Sequence, residues 1–361
     1  MTDLERDLRE LFESKAADAS FSARPRQEAL RRARRRQAGT IVTATFVAAA
    51  LVGSAFVAGQ ALFDAGAPRP AIEPSPTSGP LPVSARDGIA FVRGSAIYTV
   101  QPDGTDEELV LECQSASCAG ISDPAWSPDG RMIAFEREDA DRTSDIWIVN
   151  ADGTGPSMLL DCDGRSSGPL AARRPCLDED PAWSPDGTQI TFTRNGSLYI
   201  VNADGSGLRS LATGLSGVAD PVWSPDGTRI AFSMVGERDR LYVMSPDGSN
   251  LVQLYDAPSG SGPFAPAWSP DGARIAYFVT PRRDAGFVGE VWVMEADGSG
   301  STRIFESACC VQDWGGPAWS PNGGQIAFVL GIGDPPQLML VNADGTHIRT
   351  LGEARGEISW R

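Results

Sequence analysis

The sequence predicts an all-β fold: a six-bladed β-propeller closed by a C-terminal strand, preceded by a single transmembrane helix and a short cytoplasmic helical tail. Three observations carry that expectation. A W-S-P-[DN]-G motif recurs five times, the last residues supply a strand that the first repeat lacks, and one run of 27 residues near the N-terminus has no charge.

Composition sets the outer limits. Apolar residues make up 41% of the 361 and charged residues 22%, enough to bury a core and too apolar for a disordered chain. The formal net charge of −16 argues against nucleic acid, whose phosphates need a positive field. The chain has one His, His347, and one Lys, Lys15. A single His removes His-rich zinc sites and H-E-x-x-H chemistry. No cofactor is expected from composition, and the chain is not expected to be an enzyme.

Residues 1–37 form a basic tail in which Leu4, Leu8, Leu11 and Phe12 fall at helical spacing. That stripe reads as a short surface helix or as a docking helix for a cytoplasmic regulator. The uncharged run from Gln37 to Phe63 follows, and 38–63 is long enough to cross a bilayer. A cleaved signal peptide has a shorter apolar region and a shorter charged start, so an uncleaved signal anchor is expected. Arg31, Arg32, Arg34, Arg35 and Arg36 precede the span, whereas Arg69 and Arg86 are the only nearby cations after it. The positive-inside rule then leaves the N-terminus in the cytoplasm and the remainder outside. Residues 64–86, with six prolines, read as an extended linker.

From residue 87 to 361 the chain is periodic, with nineteen Arg against thirty-eight acids. W-S-P-D-G begins at Trp126, Trp183, Trp223 and Trp268, and W-S-P-N-G at Trp319. Each is followed by an Ile-Ala-Phe type run, then an alternating run such as Ile146-Trp147-Ile148-Val149, then an Asp-Gly turn such as Asp152-Gly153. Alternation reads as half-buried strands, and Asp-Gly supplies the positive φ that tight hairpins demand. Units of 40–57 residues built this way predict propeller blades. Residues 88–112 hold a unit without its Trp strand, and Ile358-Ser359-Trp360 is that strand. The ring therefore closes at six blades and leaves no open edge.

These units resemble the TolB-like propeller repeats, also found in the propeller of prolyl oligopeptidases, rather than WD repeats with their Gly-His and Trp-Asp signatures. The resemblance covers roughly residues 87–361 and implies fold more firmly than function. The N-terminal layout is also similar to single-pass envelope proteins of high-GC bacteria, some of which regulate sigma factors. The zinc-containing class of those regulators needs His and Cys near its start, and this chain has neither before Cys113.

In such a blade the W-S-P-D-G and Asp-Gly turns share one face. The second-to-third loops and the blade-to-blade links share the other. Length variation is confined to the second face, at 136–145, 234–240, 281–290 and 331–337 and in the links 112–122, 161–179 and 306–315. Variable loops on a regular scaffold are where binding resides. All six cysteines fall in those links. Locality pairs Cys113 with Cys118 and Cys162 with Cys176, leaving Cys309 and Cys310 as a vicinal pair or as free thiols. Trp314 stands outside the repeat pattern, and with Arg282 and Arg283 on a neighbouring long loop it is the expected binding hot spot. The repeat tryptophans are expected to pack between blades.

Three links end in Asp-Pro, at Asp123, Asp180 and Asp220. They read either as carboxylates capping the start of the inner strand or as a set converging on Ca²⁺. Gly164-Arg165-Ser166-Ser167-Gly168 matches G-x-S-x-G, but it lies in a link with no His near it, so no nucleophile elbow is expected. The leading expectation is a membrane-anchored, non-catalytic platform that binds an envelope or extracellular protein. A transmembrane sensor coupling propeller binding to a cytoplasmic partner is the first alternative, and a metal-dependent propeller hydrolase or lactonase the second.

Overall fold

The computed structural model describes residues 88–361 apart from 116, 163–175, 212–213, 237–238, 257–261, 284–285, 309–310, 312 and 332–334. The expected tail, membrane span and linker lie outside the described residues, as do Cys309, Cys310 and the G-x-S-x-G stretch. No helix among the described residues is long and apolar enough to cross a membrane.

Six four-stranded antiparallel sheets form the blades, together with one two-stranded hairpin. The innermost strands of blades 1 to 6 are Arg355–Trp360, Cys118–Trp126, Asp178–Trp183, Val218–Trp223, Pro263–Trp268 and Asp313–Trp319. Each touches the inner strand of the next blade, and the last touches the first. Blade 1 is completed by the C-terminal strand as expected, with Ile89 opposite Trp360 and Ala90 opposite Ser359. Two backbone hydrogen bonds lock the closure, from Gly88 N–H to Arg361 O (2.8 Å) and from Arg361 N–H to Gly88 O (3.1 Å).

The core is divided among six apolar clusters, each shared by two neighbouring blades. The Ile-Ala-Phe strands supply their centres, where Phe91, Phe135, Phe192, Phe232, Tyr277 and Phe328 are almost fully buried. Each such ring contributes about 2–3 kcal/mol by leaving water. The repeat tryptophans pack between blades. Trp319 Nε1 donates to Ala267 O of the preceding blade at 3.1 Å, and the guanidinium of Arg274 lies 4.8 Å from its ring centre.

The W-S-P-D-G turn is a self-contained hydrogen-bond unit. In blade 4, Ser224 Oγ donates to Asp226 Oδ1 at 2.5 Å, and the Thr228 and Arg229 amides donate to Asp226 Oδ1 and Ser224 Oγ. The Ser224 hydroxyl and Thr228 amide pull Asp226 down to about 2. The Asp-Gly turn does a second job. Gly153 has φ +83°, and a Cβ there would overlap the Val110 carbonyl oxygen of the preceding blade. Glycine is needed both for the conformation and for the approach of one blade to the next.

Two segments differ from expectation. The second strand of blade 2 runs to Asp139 and the third begins at Ser144, so most of the stretch expected as a loop at 136–145 is paired, with Arg137 opposite Asp145. Trp314 does not lie in a link. It belongs to the extended inner strand of blade 6, opposite Leu330, because Asp313–Gly315 continue the pairing past the bulge.

Candidate functional site

Inner strands carry a shared irregularity. In every blade the pairing to the second strand slips just before the Trp, at the Asp-Pro position or its equivalent. Asp123, Asp180, Asp220 and Ala265 occupy that bulge with φ between +50° and +57°. Asp tolerates this left-handed conformation better than most residues, which accounts for its choice at three of the four.

The bulge aims carboxylates from blade to blade. Asp180 Oδ2 accepts the Asp220 amide at 3.1 Å, and Asp220 Oδ2 accepts the Ala265 amide at 3.2 Å. Alanine at 265 breaks the relay, and Glu357 restores it from the opposite side by accepting the Gly316 amide at 2.7 Å. A Cβ at Gly316 would overlap both Glu357 Oε2 and the Ala265 methyl, so this approach requires glycine. Between blades 1 and 2, Ser359 Oγ accepts the Trp126 amide at 3.1 Å.

The residue after each Ile-Ala-Phe triplet faces this bulge and divides the ring in two. Ser233 Oγ donates to Asp220 Oδ2 at 2.8 Å, Thr193 Oγ1 lies 3.5 Å from Asp180 Oδ2, and the Glu136 carboxyl lies beside that of Asp123. The equivalents in blades 5, 6 and 1 are Phe278, Val329 and Val92, all buried. Burial pushes the Glu136 carboxyl well above its ordinary range, reinforced by the charges of Asp123, Glu179 and Asp180. Blades 2–4 thus give the ring an acidic, hydrogen-bonding side. Blades 5 and 6 give it an aromatic side, where Phe264 and the partly buried Trp314 meet with ring centres 5.6 Å apart.

The expected hot spot is therefore split between two elements. Trp314 stands on the inner strand and is tied into the blade 5–6 core. Arg282 and Arg283 form one strand of a small hairpin with Gly286–Phe287, inserted between the second and third strands of blade 5. Both elements are on the variable-loop face.

Both disulfides expected from locality are present, Cys113–Cys118 and Cys162–Cys176. Arg137 fastens the first loop by donating to Ser115 Oγ (3.1 Å) and Ser117 Oγ (3.0 Å). The second is anchored by the Cys162 amide donating to Asp145 Oδ1 and the Ser144 amide to Cys176 O. Beside it, fully buried Asp178 is gripped by Arg194 in a two-point pair, both bonds 2.7 Å. Burial raises Asp178 to about 6; Arg194 opposes the rise, while Asp145 and Glu179 add to it. Asp145, Asp178, Arg194, Glu136 and Glu357 were not expected as site residues from the sequence. A polar residue breaking an apolar run was the available signal for Glu136.

Among the described residues, one donor group is compact enough to share an ion: Cys162, Cys176 and Asp178. Its sulfurs are bonded to each other and its carboxylate is held by Arg194, so it is no metal centre in this state. Asp123, Asp180 and Asp220 do not form such a group; the latter two spend an oxygen on the next blade's backbone.

The fold and its repeat thus define a six-bladed propeller of W-S-P-[DN]-G units with a strand-exchanged closure. The TolB beta propeller domain family, PD40, matches residues 170–360, and the chain belongs to it. A stretch of 121 residues is 32% identical to the Tol-Pal system protein TolB of Anaeromyxobacter dehalogenans, covering 32% of this chain and 24% of that protein. Another of 115 residues is 27% identical to the uncharacterized peptidase YuxL of Bacillus subtilis, covering 29% of this chain and 16% of that protein. The chain thus matches less than a quarter of either relative's length. The crystal structure of TolB from Acinetobacter baumannii superposes with a TM-score of 0.61 at 20% identity, over 76% of this chain and 66% of that one. At that identity the likeness speaks for the fold.

Proposed function

We propose that the protein is a membrane-anchored propeller that binds a protein partner of the cell envelope, without catalysis, through its variable-loop face. One observation carries the reading. The chain enters the ring at Gly88, and Gly88 is bonded to Arg361 of the inner strand at the turn face. An anchor at 38–63 with the 64–86 linker therefore tethers the turn face, and the variable-loop face points away from the membrane. A proline-rich linker of that length reaches about 70 Å if extended, enough to hold the disc clear of the lipid. The acidic and aromatic halves of the ring, Trp314, the Arg282–Arg283 hairpin and both disulfide-tied links all belong to the outward face. Propellers commonly present binding loops in this way, and the likeness to TolB supports an envelope partner.

The test places a photo-crosslinking residue in the full-length, membrane-inserted protein, either at position 283 or, as a control, at turn-face position 271. Crosslinking of one envelope protein from 283 and not from 271 is expected. It should disappear when Trp314→Ala and Arg282→Ala are added to the protein carrying the crosslinker at 283, provided its melting transition is intact. Crosslinking from 271 instead would refute the choice of face.

A further inference from the structure

Two Asn-Gly pairs occur in the sequence, Asn195-Gly196 and Asn322-Gly323, and the fold treats them differently. An Asn-Gly pair can deamidate spontaneously. The glycine amide nitrogen attacks the Asn Cγ, forming a C–N bond as the side-chain nitrogen leaves as ammonia with the proton from the glycine amide. Water then opens the succinimide at either carbonyl, giving aspartate or isoaspartate. The step needs a glycine nitrogen that is not engaged and a carboxamide that can turn towards it.

At Asn322 both requirements fail. The Gly323 amide donates to Ser320 O at 2.8 Å. Asn322 Oδ1 accepts two bonds, from Ser320 Oγ at 2.8 Å and from the Gly324 amide at 2.9 Å. Attack would break all three. At Asn195 the residue forms the tip of the hairpin between Gln189–Arg194 and Ser197–Asn202, exposed on the variable-loop face. Among the described residues, the Gly196 amide has no backbone acceptor. The Asn195 carboxamide is held only by a 3.3 Å bond from the Leu177 amide and a 3.8 Å contact of its Nδ2 with Cys176 Sγ.

We propose that Asn195 is a site of spontaneous deamidation in the folded protein and that the W-S-P-N-G turn protects Asn322. Either product places a new carboxylate beside the Cys162–Cys176 link and buried Asp178, and isoaspartate also lengthens the backbone by one carbon. It is a modification of the variable-loop face that does not depend on the binding role.

Folded full-length protein and a urea-unfolded sample would be incubated side by side in mildly alkaline buffer. Peptide mass spectrometry would quantify conversion at each Asn, with Asn195→Ala confirming the assignment. Net hydrogen bonds are worth about 1 kcal/mol each, so the extra bonds at Asn322 correspond to at least about a tenfold slower conversion than at Asn195 in the folded protein. In urea the two should convert within a few-fold of each other. Equal rates in the folded protein, or an Asn195 rate suppressed by folding as strongly as that of Asn322, would overturn the proposal.

Discussion

Replacing Asp220 separates the two readings of the Asp-Pro carboxylates. Asp220 Oδ2 accepts from Ser233 Oγ and from the Ala265 amide, one bond within its blade and one to the next. Bonds to a charged acceptor contribute about 1.5–3 kcal/mol each. Asp220 also sits at φ +53°, where alanine costs about 1 kcal/mol more than a residue that favours the left-handed region. Asp220→Ala should therefore lose about 4–7 kcal/mol. It should still fold, since Ala265 already occupies the equivalent bulge at φ +50°. Asp220→Asn keeps an acceptor oxygen and the conformational preference, and should lose about 1 kcal/mol or less. Urea denaturation of the two variants, each with and without Ca²⁺, reads both quantities. A structural carboxylate predicts a large gap between Ala and Asn and no stabilisation by the cation. Equal losses in both variants, or Ca²⁺ stabilisation of the wild type that Asp220→Asn abolishes, would refute the reasoning and restore the metal reading.

Three further outcomes follow from the same geometry. Gly153→Ala meets both a positive φ and the Val110 carbonyl, whereas Gly94→Ala meets a positive φ with nothing within 4 Å. Chemical denaturation should show a loss of about 1 kcal/mol at Gly94 and about 2–4 kcal/mol at Gly153. Changing Cys162 and Cys176 to Ser together should cost about 3 kcal/mol for a loop of this length, with a matching fall in the urea midpoint. Asp178 has a folded pKa of about 6 against an ordinary 3.8, so the native state binds its proton more tightly than the unfolded chain. The resulting penalty is fully present above about pH 6 and is relieved as pH falls towards 4. Wild-type stability should gain up to about 3 kcal/mol over that window relative to Asp178→Asn. Glu136 acts with the same sign, so the difference between the two proteins is the quantity to measure, and parallel pH profiles would sink the assignment.

The blade architecture was legible because each of its parts is local. A Ser-Pro-Asp-Gly turn closes on its own hydrogen bonds, an Asp-Gly pair sets its own φ, and an Ile-Ala-Phe run buries itself in either neighbour. Even the closure could be read, since Trp360 is the sixth tryptophan of a repeat whose first unit lacks one. Disulfide pairing was legible for the same reason, with each partner in the same link. Trp314 was misplaced because nothing in Asp313-Trp314-Gly315 announces a strand. Its pairing comes from Gly331, Leu330 and Val329 across the sheet, which a linear pattern does not contain.

What remained hidden is the set of contacts that only ring closure creates. In the linear sequence nothing sets Glu357 apart from the chain's other acids. It matters because blade 5 carries Ala265 where blades 3 and 4 carry Asp, leaving the Gly316 amide to be reached from blade 1. The two-sided character of the ring has a similar origin. One position per blade, occupied by Glu136, Thr193 and Ser233 in three blades and by Phe278, Val329 and Val92 in the others, determines whether the inner bulge is hydrogen-bonded or packed in apolar surface. A propeller of identical units would present the same surface all round its axis and could not fix the orientation of a partner. Here the repeat preserves the turns and strands that make the ring, while that position and the bulge residue beside it vary. The resulting polarity lies at the inner strands, on the same side of the disc as the variable loops, where an asymmetric partner can be held in one orientation.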